Sequence, residues 1–112
     1  MPSFVFLFRA PRAILESPRT SADTRASGEK WHAWAEALTR AGHTVTGAQF
    51  ARGGTSVSGP DRVVSEGAAG AVDVIGGYFQ ISADSLDEAT LLAKGCPMLD
   101  QGGTVEVRPV LF

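Results

Sequence analysis

Two histidines, one cysteine and a scatter of carboxylates are the chain's chemical means. His32 stands in the run Glu29-Lys30-Trp31-His32-Ala33-Trp34-Ala35-Glu36. On a helix, Glu29 at i−3 and Glu36 at i+4 are its neighbours. An imidazole so placed can act as a general base near neutral pH if it reaches a cleft; the plainer reading is a solvated helix-face histidine. Trp31, Trp34 and Tyr78 are candidates to bind an organic ligand, and Arg9, just past the first apolar run, to join the rim of a cleft. For the tryptophans the plainer reading is that both are core. His43 follows Gly42 in a helix-to-strand connection and reads as structural. Cys96 precedes Pro97 just past a helix C-terminus, where the dipole disfavours a thiolate, so it reads as a buried, inert thiol. The histidines, cysteine and carboxylates show no metal-ligand spacing, and the glycines form neither a phosphate loop nor a dinucleotide fingerprint. Neither metal nor cofactor is expected.

The elements that must position these residues are legible from periodicity. Phe4-Val5-Phe6-Leu7-Phe8 is a strand apolar on both faces, which requires cover on both. One layer of helices supplies one cover, and a second copy of the chain is expected to supply the other. Arg9 to Ser27, with Pro11 and Pro18, reads as a mobile segment running into a helix that Ser21 or Thr24 could cap. That helix is clearest over Glu29 to Ala41, where Trp31, Trp34, Ala35, Leu38 and Ala41 make an apolar stripe ending at Gly42. His43 to Phe50 reads as a strand. Thr55-Ser56-Val57 and Arg62-Val63-Val64 are short strands around a Gly59-Pro60-Asp61 turn, and Glu66 to Asp73 reads as a flexible rim or lid.

The last third is the most explicit. Tyr78-Phe79-Gln80-Ile81 alternates with period two, placing Phe79 and Ile81 on one face and Tyr78 and Gln80 on the other. Ser85 and Glu88 form a capping box for a helix whose stripe is Leu86, Ala89, Leu92 and Ala93. Gly95 is expected to stop it with a positive φ, and Pro97 to forbid continuation. After Gly102-Gly103, Thr104 to Arg108 is a strand with Val105 and Val107 opposite Thr104, Glu106 and Arg108.

With 112 residues, one domain spanning 1–112 is expected. A net charge of −2 with scattered Lys and Arg leaves no footprint for nucleic acid. The Phe4 to Phe8 run is too short for a signal or a membrane span, and a single cysteine fits a cytoplasmic protein. Strand, helix, strand, hairpin, strand, helix, strand is the order of an α+β, ferredoxin-like β-α-β-β-α-β sandwich with an antiparallel sheet.

Gly77-Tyr78, Ala83 through Ala89, Ala93-Lys94-Gly95-Cys96-Pro97 and Gly102 through Pro109 closely resemble the carboxy-terminal half of YCII-related, or DGPF-domain, proteins. The opening strand, the Trp-bearing helix ending in Ala41-Gly42 and the Val-Thr-Gly strand resemble the first half more loosely. The resemblance implies a ferredoxin-like fold that dimerises through its sheet faces as a dimeric α/β barrel. It also implies suspected activity on small molecules through a His on the first helix and an Asp near the end of the later one. Counting back from Gly42, the family His falls at Trp31, the Asp falls at Cys96, and the Asp-Gly-Pro-Phe stretch is matched at best by Glu66-Gly67-Ala68-Ala69.

The expectation is a cytoplasmic homodimer binding a small organic molecule in a cleft near Trp31, His32 and Tyr78, with lyase or hydrolase chemistry if it is an enzyme. A non-catalytic dimeric binding or accessory module and a cofactor-independent oxygenase of ferredoxin-like fold are the alternatives.

Overall fold

The computed structural model describes residues 1–67 and 73–111. The chain folds as α+β. A four-stranded antiparallel sheet is built from β1 (Ser3–Pro11), β2 (Val45–Gln49), β5 (Asp73–Ser82) and β6 (Thr104–Pro109), in the spatial order β2-β5-β1-β6. The hairpin of β3 (Thr55–Ser58) and β4 (Val63–Glu66) is a separate two-stranded sheet. A single turn, α1 (Arg12–Leu15), and a long helix, α2 (Ser21–Arg40), follow β1. Helix α3 (Leu86–Ala93) and a 3-10 turn, Pro97–Gln101, separate β5 from β6.

Strand β1 is central and fixes the layering. Its burial alternates strictly: Phe4, Phe6, Phe8 and Ala10 are buried beneath the helices, while Val5, Leu7 and Arg9 point to the other side and are only half-buried. Register carries the same division across the sheet, because directly opposed residues share a face. Phe6 opposes Phe79 and Val107 on the helix side, and Leu7 opposes Tyr78 and Glu106 on the other. Among the described residues no helix covers that second face. Between Phe8 and Arg9 the register slips, leaving Gly76 as the extra residue of a bulge in β5. A Cβ on Gly76 would lie 3.3 Å from Leu15 Cδ1, so the bare backbone there lets α1 seat against the sheet.

An aromatic cluster forms the core beneath α2. Trp34 stacks on Phe79 (centroids 5.3 Å apart) and on Phe6 (6.0 Å), and Phe8 meets Trp31 edge-on at 4.7 Å. Such offset-stacked and edge-to-face pairs contribute about 0.5–1.5 kcal/mol each beyond their burial. Leu38 completes the stripe, but Ala41 is exposed at the C-cap, just beyond the last helical residue, Arg40. In α3, Ala89 and Ala93 are buried whereas Leu86, in the first turn, is 47% exposed.

Four local expectations are corrected. Arg9 to Ser27 is ordered structure: Pro11 ends β1, α1 follows, and α2 begins at Ser21, eight residues before Glu29. The cap of α2 is Thr20, whose hydroxyl accepts from the Asp23 amide while the Asp23 carboxylate accepts from the Thr20 amide. The Ser85 hydroxyl accepts from the Glu88 amide as expected, but the Glu88 carboxylate reaches back to the amide of Asp84 rather than that of Ser85. Gly95 has no positive φ. Its bare Cα is needed for space, because a Cβ would sit 2.8 Å from the indole nitrogen of Trp34. The left-handed stops are at Gly42 (φ 98°) and Gly102 (φ 81°). Most of the expected lid, residues 68–72, lies outside the described residues.

Candidate functional site

A cleft of about 1060 Å3 opens between α1, the first half of α2 and the adjoining ends of β2 and β5, with the root of the hairpin on its far side. Its inner wall is aromatic. Phe8, Trp31 and Phe79 contribute to it from β1, α2 and β5, each held by its packing against the other two. Trp31 can line the cleft because it lies on the N-terminal side of the tryptophan pair, one turn before Trp34. Trp34 is enclosed by Phe6, Phe8, Trp31 and Phe79 and is a core residue.

The rim is rich in arginine. Arg9, Arg12, Arg19 and Arg52 all line the cleft, with Glu16, Glu66 and Asp73 as its acids. Arg12 bridges Glu16 Oε1 at 3.0 Å and Glu66 Oε1 at 2.6 Å, tying α1 to the foot of the hairpin. These two carboxylates hold the Arg12 guanidinium above its ordinary pKa, Glu16 most strongly. Arg52 donates from Nη2 to the carbonyls of Glu16 (2.8 Å) and Ser17 (3.3 Å). Arg19 donates to Gln101 Oε1 at 3.2 Å. Arg9 lies 3.5 Å from Glu106.

His32 stands at the lip of this cleft, with its side chain 81% exposed. Its Nε2 is 3.6 Å from Glu36 Oε2, and Glu36 in turn takes Arg40 at 2.7 Å, an exposed ladder along α2. Arg40 holds the Glu36 carboxyl below its ordinary value. His43 is the buried histidine, 8% exposed: its Nδ1 donates to the Ser82 carbonyl at 2.8 Å, and Glu88 Oε1 lies 3.8 Å away. It knits the start of β2 to the end of β5 and the first turn of α3. Cys96 is buried and unpaired, and desolvation raises its thiol pKa to about 11.

Trp31 and His32 are therefore brought to one cleft, which Arg9 borders while its side chain turns to the other sheet face beside Glu106, and Trp34 and Tyr78 do not line it. Tyr78 lies on the opposite side of the sheet, where its ring meets Phe50 at 6.1 Å. The period-two alternation that puts Phe79 under Trp31 necessarily sends Tyr78 the other way. The YCII-related domain model matches residues 10–111. The chain belongs to the YCII-related family. The YCII-related match takes in all three helices, three strands of the sheet and nearly all of the cleft lining. No curated protein matches the chain.

Arg12, Arg19 and Arg52 escape a reading of the sequence of this YCII-related protein. The one signal was the density of arginine between Arg9 and Arg19, in a segment whose prolines read as disorder. Arg52 joins them only through the fold. Among the described residues, no three His, Cys, Asp or Glu side chains are grouped to hold a metal ion. No described helix is long and apolar enough to cross a membrane.

Proposed function

We propose that this YCII-related protein binds a small organic molecule in the cleft walled by Phe8, Trp31 and Phe79. The observation that carries this is the cleft itself. Its volume of about 1060 Å3 is just above the roughly 300–1,000 Å3 range typical of small-molecule sites. It also joins an apolar wall to a few convergent polar groups, as such sites do. Binding is favoured over turnover because His32 faces water at the lip, where nothing secludes its imidazole. If the protein is a lyase or hydrolase, His32 is the base the cleft offers.

The strand order β2-β5-β1-β6, with helical connections after β1 and β5, supports a ferredoxin-like sandwich. The half-buried Val5 and Leu7 on the uncovered sheet face support a homodimer formed sheet to sheet. The lone buried thiol fits a cytoplasmic setting.

Saturation-transfer NMR with a mixture of flat organic acids, amides and amines tests the cleft. Signals should appear with the native chain and vanish in Ala35→Phe, which narrows the cleft from α2. Equal signals in both proteins would refute the assignment. Sedimentation velocity tests the dimer: the native chain should run as a dimer and Leu7→Lys as a folded monomer. A native monomer would overturn that part.

A further inference from the structure

The electrostatics of the rim select among ligands. Resting on the reading that the cleft takes a small organic molecule, we propose that this molecule is a flat organic carboxylate whose anionic end is held by Arg52 and Arg19.

The four rim arginines are not equivalent. Arg12 is matched by Glu16 and Glu66, and Arg9 faces Glu106. Arg52 and Arg19 are held by neutral acceptors, two backbone carbonyls and an amide oxygen. Asp23, the carboxylate that feels the charge of Arg19, is engaged with the Thr20 amide. Among the described residues no carboxylate forms an ion pair with either guanidinium. The remaining acid of the lining, Asp73, stands at the start of β5.

Arg52 uses only Nη2 for its two bonds. A guanidinium carries five N–H donors in a rigid plane, so Nε and Nη1 keep donors for charge-assisted bonds to a carboxylate. Its two carbonyl contacts orient the guanidinium before a ligand arrives, which lowers the entropy cost of binding. The Arg52 guanidinium ends on the carbonyl of Ser17, two residues from the backbone of Arg19, and both residues line the cleft. The apolar body of the ligand would lie along Trp31, Phe8 and Phe79, a wall that favours a planar ring system.

The intact protein would be titrated with naphthalene-2-carboxylate and naphthalene-2-carboxamide, following tryptophan fluorescence and ligand NMR. The acid should bind about tenfold more tightly than the amide, the scale of one charge-assisted hydrogen bond. Added salt should weaken the acid alone. Arg52→Gln and Arg19→Gln should each erode that preference by weakening the acid more than the amide, and Arg52→Lys should retain part of it. Equal binding of acid and amide, or an unchanged ratio in the double glutamine variant, would overturn the carboxylate assignment and leave the cleft as a ligand site. Failure of both probes would overturn the two readings together.

Discussion

Gly95 and the indole of Trp34 are in such close apposition that a Cβ on the glycine would lie 2.8 Å from Nε1 and 3.1 Å from Cδ1. Trp34 is stacked against Phe6 and Phe79, so moving its indole disturbs both contacts. Gly95→Ala should therefore destabilise the fold by about 1–3 kcal/mol through overpacking. Urea unfolding followed by tryptophan fluorescence checks this. A gain in stability, as expected of a glycine replaced in open space, would show that the indole gives way.

Helix α3 is short and depends on its first turn. The Ser85 hydroxyl accepts from the Glu88 amide at 3.1 Å, so Ser85→Ala should cost about 1 kcal/mol and Ser85→Asp much less. The comparison of the two variants by thermal melting isolates the cap from side-chain packing.

Three exposed carboxylates make the fold mildly acid-sensitive. Asp23 is held low by its hydrogen bonds with Thr20, Glu36 by Arg40 and Glu106 by Arg108. Each releases its proton more readily folded than unfolded, so its contribution is present above the ordinary values of 3.8 and 4.5 and is lost as pH falls through the folded pKa. Urea midpoints should decline below about pH 4.5. The decline should flatten in a variant carrying Asp23→Asn, Glu36→Gln and Glu106→Gln; an undiminished slope would assign the effect elsewhere.

Cys96 gives the opposite pH signature. Burial raises its thiol from 9.0 to about 11, so its share of stability is complete below pH 9.0 and falls as pH rises toward 11. Iodoacetamide should label the native protein far more slowly at pH 8 than the urea-unfolded chain. Comparable rates would mean that the thiol is accessible.

The sequence carried the elements through their periodicity. The stripe from Trp31 to Leu38, the alternation from Tyr78 to Ile81 and the hairpin around Gly59-Pro60-Asp61 all appear where their spacing puts them. What failed was punctuation. Pro11 and Pro18 look like breakers, yet Pro11 closes a strand and Pro18 lies between two helices, where neither needs to donate a backbone hydrogen bond within an element. Thr20, Ser21 and Thr24 have equivalent capping chemistry, and only the chain's path selects Thr20. Gly95 shows the same limit, since its constraint comes from a tryptophan far away in sequence. The cleft was half legible for this reason. Trp31, His32 and Arg9 could be named from local pattern, whereas Arg52 is brought to Ser17 by tertiary structure alone.

The central position of β1 governs the timing of folding. Its neighbours in the sheet, β5 and β6, come after the other strands in sequence, so β1 must wait for most of the domain before it finds hydrogen-bonding partners. Such separation of contacting residues slows folding. A chain made only as far as α3 would leave the β1 edge that pairs with β6 open, next to the apolar Phe4, Phe6 and Phe8, a combination prone to aggregation.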